Sequence, residues 1–181
     1  MNTAFVSAPL PPPISQSLHR LCHGMKDTEW VDQENMHLTL RYIGQIKGHQ
    51  LHDIAEALQD IQLNPILLQI KGLGHFIKKR GVTLYAQIAK SNPLNKLKSE
   101  IDKMLNEAEL PKNRAHYLPH ITIGYYQGKK MEAAAHFLER NSFFETEIFE
   151  INNFDLTSCH KSLKGSIYTE EASYPLRKPK Y

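Results

Sequence analysis

Two segments of this chain alternate apolar and polar residues with the period of two that belongs to a half-buried β-strand, and both begin with His-x-Thr. In MHLTLRYIG, residues 36–44, Met36, Leu38 and Leu40 share an apolar face, while His37, Thr39 and Arg41 fall on the other. In HITIGYY, residues 120–126, Ile121, Ile123 and Tyr125 form the core-like side, and His120, Thr122, Gly124 and Tyr126 lie opposite. A chain that must bury both apolar faces while leaving both His-x-Thr faces open is constrained to a sheet structure with one covered and one accessible side.

Around these strands the pattern reads β-α-β-α-β-β-α-β-α-β-β. TAFVSAP is a first strand closed by Pro9, and Pro11-Pro12-Pro13 opens a helix around residues 14–24. GHQLHDIAEALQDIQ puts Leu51, Ile54, Ala55, Leu58 and Ile61 on one helical stripe, and residues 93–108 do the same with Leu94, Leu97, Ile101, Met104 and Leu105. PILLQIKGLGHF and GVTLYAQIA are strands around the turn IKKRG, KKMEAAAHFLERN is a further helix, and TEIFEINNFDLTS and GSIYTEEAS close the order before the basic tail RKPKY. Each half of the sequence thus carries a His-x-Thr strand followed by a helix and two more strands. The expectation is an α+β fold in a single domain, residues 1–181, with two pseudo-symmetric lobes, each an antiparallel sheet backed by helices, and a cleft between them.

The chain's 181 residues and 41% hydrophobic content suffice for one substantial core. A formal charge of +3 is too mild for a dedicated duplex-binding domain and suits a small anionic ligand or an RNA end. Cys22 and Cys159 form no C-x-x-C and follow no secretory pattern, and no long apolar run is present, so a soluble protein of the reduced cytoplasm, away from membranes and monomeric, is expected.

Two histidines on matching strands suit phosphodiester cleavage without metal. One group must take a proton from the attacking water, and another must give one to the departing oxygen, on opposite sides of phosphorus. Imidazole does either near neutrality, and a threonine hydroxyl two residues on can donate to a non-bridging phosphate oxygen. His37, Thr39, His120 and Thr122 would form a pseudo-symmetric clamp around one phosphate.

The strings ENMHLTLRYIG and YLPHITIGYY resemble the two H-x-T-x signatures of the two-histidine phosphoesterase superfamily, specifically its LigT-like RNA 2′,3′-cyclic phosphodiesterases. AFVSAPLPPPISQSL is similar to that family's opening strand and proline turn, and KSLKGSIYTEEASYPL to its closing region. The resemblance implies the bilobal fold and hydrolysis of an RNA 2′,3′-cyclic phosphate to a 2′-phosphate, with weak 2′-5′ RNA ligation in reverse. It also implies that His37 donates a proton to the leaving oxygen, that His120 accepts one from water, and that Thr39 and Thr122 bind phosphate. Where many relatives carry an arginine near the second motif, this chain has Leu118 before Pro119 and Gly124-Tyr125-Tyr126 after Ile123, so Arg41 or a lysine of Lys78-Lys79-Arg80 would supply that charge. The motifs define the phosphate site more than what hangs from it. A phosphodiesterase for small cyclic or 2′-5′ linked nucleotides, and a nucleotide- or RNA-binding module without turnover, are the alternative readings.

Other signals lead less far. Tyr126, on the expected site face, could stack on a base, and Arg177-Lys178-Pro179-Lys180 reads as a loose terminus. The pairs His49/His52 and His116/His120 have metal-like spacing but no cysteine or carboxylate set to complete them, so no metal is expected. Gly72-x-Gly74 lacks the third glycine and following helix of a dinucleotide loop, and no cofactor is expected.

Overall fold

In the computed structural model, residues 2–111, 116–162 and 165–177 are described. The proline run does what its chemistry dictates: β1 (Asn2–Pro9) ends on Pro9, and α1 (Pro12–His19) begins with Pro12, whose missing N–H falls where a helix has no partner for it. After the short β2 (Thr28–Trp30) and a 3₁₀ turn come β3 (His37–Ile46), carrying the first His-x-Thr, and α2 (Gly48–Leu58). β4 (Ile66–Leu68) precedes the hairpin β5 (Ile70–Lys78) and β6 (Gly81–Ile88). In α3 (Asn92–Glu107) the Ser91 hydroxyl caps the first turn by accepting from the Leu94 N–H at 3.3 Å. β7 (His120–Tyr126), α4 (Met131–Arg140), β8 (Phe149–Ile151), β9 (Asn153–Ser162) and β10 (Gly165–Pro175) complete the order.

The fold is α+β and antiparallel, as the alternation predicts. The main sheet runs β10-β9-β1-β3-β7-β6-β5, with β2 on the edge of β7, while β4 and β8 form a separate two-stranded ribbon. Its connectivity is exchanged between the sequence halves. The β5–β6 hairpin follows β3 in sequence but joins β7, and the β9–β10 hairpin follows β7 but joins β1 on the flank of β3. Neither half of the sequence therefore builds its strand group alone. Alternation specifies which face of a hairpin is buried and leaves its neighbour to the tertiary packing.

One covered face holds the core. Leu38, Leu40, Ile121 and Ile123 point into it from the two His-x-Thr strands and are at most 1% exposed. The helical stripes pack beneath, with Ile54 and Leu58 from α2 and Leu94, Leu97, Ile101 and Leu105 from α3 all sealed from solvent. The Tyr174 hydroxyl of β10 donates to the Ala55 carbonyl at 2.9 Å, tying the last strand to α2.

β3 and β7 meet at one matched pair, Leu38 with Ile121. Beyond it, the edge of β7 is taken by β2, which pairs Trp30 with Gly124, Glu29 with Tyr125 and Thr28 with Tyr126. The indole of Trp30 lies across Gly124, where a Cβ would stand 2.6 Å from Trp30 Cε3, and its other side meets Phe137 of α4 with ring centroids 5.3 Å apart. The glycine is a steric requirement of this wedge. Gly124→Ala is expected to lower stability by about 1–3 kcal/mol, the usual range for overpacking, measured as a lower urea midpoint with an unchanged slope.

Candidate active site

The geometry of the site follows from the Leu38–Ile121 pair. In an antiparallel ladder the neighbours of a matched pair also face one another, so His37 comes opposite Thr122, and Thr39 opposite His120. Leu38 and Ile121 point into the core, so all four polar side chains stand on the other face, where each is partly accessible. The result is a square of alternating imidazole and hydroxyl groups. His37, Thr39 and Thr122 line a cleft of about 890 Å³, and His120 stands on the same face two residues before Thr122.

Each imidazole is oriented in the same way. His37 Nδ1 lies 2.8 Å from the Asn35 carbonyl, and His120 Nδ1 lies 2.6 Å from the Leu118 carbonyl. A carbonyl can only accept, so Nδ1 carries the proton in both rings and Nε2 is left for chemistry. Aromatic rings hold the imidazoles from the sides. His37 stacks on Phe5 at 4.9 Å and meets the edge of Tyr168 at 5.9 Å, while His120 lies against the stacked pair of Phe76 and Tyr85, at 5.0 Å from one ring and 5.2 Å from the other. Gly74 permits the second arrangement, since a Cβ there would fall 2.4 Å from the Tyr85 ring. Burial lowers the His37 pKa below its ordinary value of 6.5, the Asn35 carbonyl opposes the shift, and the charge of His120 adds to it.

Two β-bulges change which residues follow the threonines. In the β1–β3 ladder Ser7 matches Thr39 and Val6 matches Arg41, so Leu40 is the extra residue; in the β6–β7 ladder Tyr85 matches Thr122 and Leu84 matches Gly124, so Ile123 is extra. Each bulge buries two successive residues and shifts the alternation by one. Arg41 and Tyr126, expected beside the histidines, are consequently on the covered side, each 4% exposed. The Tyr126 hydroxyl donates to the Lys130 carbonyl at 2.8 Å. In their place the cleft receives Tyr42 and Tyr125, each five residues after its histidine and 63% and 45% exposed. Strict alternation misses both tyrosines. The legible signal was a glycine inside the second strand, a common mark of a bulge.

Arg41 is a tether. Its guanidinium pairs with Asp102 of α3, Nη1 to Oδ1 at 3.2 Å, and Nη2 donates to the Pro111 carbonyl at 2.5 Å. Asp102 also binds Lys98, whose ammonium lies 5.3 Å from the Tyr117 ring centroid, and the Tyr117 hydroxyl donates to the Thr39 carbonyl at 3.3 Å. This network holds the segment leading into His120 against the strand that carries Thr39. Of the basic turn residues, Lys78 has its ammonium 5.4 Å from the centroid of Phe76, the ring that touches His120. His52 faces Glu56 at 3.4 Å on the exposed side of α2, and among the described residues no three His, Cys, Asp or Glu side chains gather as metal ligands would. Nor is any described helix long and apolar enough to cross a membrane. Lys178, Pro179 and Lys180 of the basic tail lie outside the described residues.

Known proteins resemble this chain in sequence and in fold. The family model of the 2′-5′ RNA ligase superfamily matches residues 10–161. The chain is 28% identical over 146 residues to the RNA 2′,3′-cyclic phosphodiesterase of Aquifex aeolicus, covering 78% of each protein. Its fold is that of Escherichia coli LigT complexed with 3′-AMP, with a TM-score of 0.78 at 15% identity over 98% of this chain and 99% of that one. The protein TT0787 of Thermus thermophilus gives a TM-score of 0.77 at 18% identity, covering 97% of this chain and 98% of that one. The chain belongs to the 2′-5′ RNA ligase superfamily, the two-histidine phosphoesterases that its paired motifs resemble.

The tether predicts a distinct phenotype for Arg41. Arg41→Met leaves Asp102 paired with Lys98 alone and the Pro111 carbonyl without its donor, and is expected to cost about 1–3 kcal/mol of stability, read by urea denaturation. An arginine that touched substrate would instead raise KM and leave the denaturation midpoint in place.

Proposed function

We propose that this chain hydrolyses RNA 2′,3′-cyclic phosphate ends to 2′-phosphomonoesters, with His37 and His120 as a metal-independent acid and base pair. The observation that carries this reading is the square of His37, Thr122, His120 and Thr39, in which both rings keep Nε2 free because a backbone carbonyl takes Nδ1–H. The relatives' name, RNA 2′,3′-cyclic phosphodiesterase, supports the same assignment.

The cyclic phosphate lies between the histidines, and the Thr39 and Thr122 hydroxyls donate to its non-bridging oxygens. His120 Nε2 takes a proton from water as the water oxygen attacks phosphorus. The bond from phosphorus to O3′ breaks in line, and His37 Nε2–H protonates O3′, leaving a 2′-phosphate and a free 3′-hydroxyl. Lys78, whose ammonium lies 5.4 Å from the centroid of Phe76 beside His120, would supply the cation that offsets charge building on the phosphoryl oxygens. A 5′-hydroxyl standing where water stands would give a 2′-5′ linkage by the same proton transfers, the route to weak ligation. The two free thiols, Cys22 and Cys159, suit a reduced cytoplasm.

In an assay with a 2′,3′-cyclic-phosphate RNA end in EDTA, the wild-type chain is expected to remain active. His37→Ala and His120→Ala should each lose about 10²–10⁴ in kcat. A p-nitrophenyl leaving group needs no proton, so it should restore most activity to the donor's variant alone. Full loss of wild-type activity on chelation, or equal impairment of both variants with that substrate, would overturn the mechanism.

The pH dependence follows from the lowered His37 pKa. As proton donor, His37 must start protonated, so kcat/KM should fall with rising pH from a point below the ordinary imidazole value of 6.5. In the bound state the substrate's negative charge favours imidazolium, so the corresponding limb of kcat should lie at higher pH. An alkaline limb of kcat/KM above that of kcat would remove His37 from the donor role. The same shift makes the neutral ring's contribution to stability complete above 6.5 and lost as pH falls through the folded pKa.

A further inference from the structure

The cleft is far larger than a phosphate, and its remaining wall beside His37 is aromatic. Phe5 is stacked on His37 and Trp30 is wedged between Gly124 and Phe137, so neither offers a free ring face. Tyr125 is the more open ring, 45% exposed: the bulge in β7 turns it outward into the cleft, which Tyr168 of β10 also lines. Directly across the β2–β7 ladder from Tyr125 stands Glu29, so their side chains share one face about 5 Å apart at Cβ. Both line the cleft, with Asp32 nearby. Burial raises the Tyr125 pKa and the Glu29 carboxylate raises it further, as expected of a charge beside the phenol. Tyr168 is raised by burial, then by Cys159 and by Tyr125, which places the two phenols near one another.

An aromatic face with a carboxylate at its edge has a definite complement. A flat ring stacks on the tyrosine, and its N–H groups bond the carboxylate. A phosphate cannot sit there, because Glu29 and Asp32 would repel it. We propose that this corner is a nucleobase subsite, with Tyr125 as the stacking face and Glu29 as the edge reader, and that it favours guanine over uracil. Guanine presents two adjacent donors, N1–H and the N2 amino group, to the two carboxylate oxygens. Uracil presents one N–H flanked by two carbonyl oxygens, which face the carboxylate unfavourably. The inference rests on the cyclic phosphodiesterase reading for what the base is attached to, and on Glu29 and Tyr125 alone for which base.

The test compares kcat/KM of the full chain on 2′,3′-cyclic GMP and 2′,3′-cyclic UMP. Charge-assisted hydrogen bonds of this kind discriminate by about tenfold or more, so a ratio of that size is expected in the wild type. Glu29→Gln should reduce the ratio to about threefold or less, and Tyr125→Phe, which keeps the ring, should retain the preference that Tyr125→Ala weakens. Trp30, the only tryptophan, lines the cleft and provides an independent readout by fluorescence titration with 2′-GMP and 2′-UMP. Equal wild-type kcat/KM on the two nucleotides, or a preference that survives Glu29→Gln, would overturn the subsite. If neither cyclic nucleotide nor RNA end is hydrolysed, the phosphodiesterase reading fails instead, and the titration decides the subsite by itself: tighter 2′-GMP supports it and equal affinities overturn it.

Discussion

One pair of buried aliphatic residues, Leu38 against Ile121, is what the site depends on. It is the only matched pairing between the two His-x-Thr strands among the described residues, and both side chains are sealed from solvent. Because antiparallel neighbours face each other, burying this pair sets His37 across from Thr122 and Thr39 across from His120 on the accessible face. A slip of one residue would send the polar groups into the core, so hydrophobic burial itself enforces the register of the four polar groups. The chemistry is borrowed from the packing.

Among the described residues the two strands are matched at this one pair. Past Ile121, β2 takes the edge of β7, and past Leu38 a bulge redirects β3. Both bulges come directly after the threonines, and both exchange a core-facing tyrosine or cleft-facing cation for the reverse. On β3 the result is a guanidinium drawn inward to Asp102 and the Pro111 carbonyl, where it organises the approach to His120. On β7 it is Tyr125 drawn outward into the cleft. A residue that alternation assigns to substrate thus becomes part of the scaffold, and one that alternation assigns to the core becomes part of the cleft.

The two imidazoles receive the same Nδ1 partner type and comparable aromatic flanks, so hydrogen bonding alone does not separate acid from base. Burial beside Phe5 and Tyr168 makes His37 resist protonation in the free protein. In the donor role proposed for His37, an anion arriving beside it favours its charged form, which would couple readiness for proton transfer to occupancy of the site.

Much of this was legible in the residues alone. Alternation in residues 36–44 and 120–126 located the His-x-Thr strands, Pro12 and Ser91 marked helix starts, and the stripes Leu94-Leu97-Ile101 and Ile54-Leu58 marked buried helix faces, because these features depend on local periodicity and capping. What local pattern could not carry was decided by contacts between distant segments. The exchange of hairpins between β3 and β7 depends on which surfaces the helices cover, and the bulges at Leu40 and Ile123 depend on fitting β3 to β1 and β7 to β6. Arg41 and Tyr126 were therefore read on the wrong face, and Tyr42 and Tyr125 were missed. The sequence by itself determined the two His-x-Thr pairs and their spacing, since His-x-Thr on a strand needs only the two-residue period of the backbone. The tertiary structure alone decided which face each later residue took and what Glu29 stood beside, since both follow from a ladder whose partner strands lie far away in the chain.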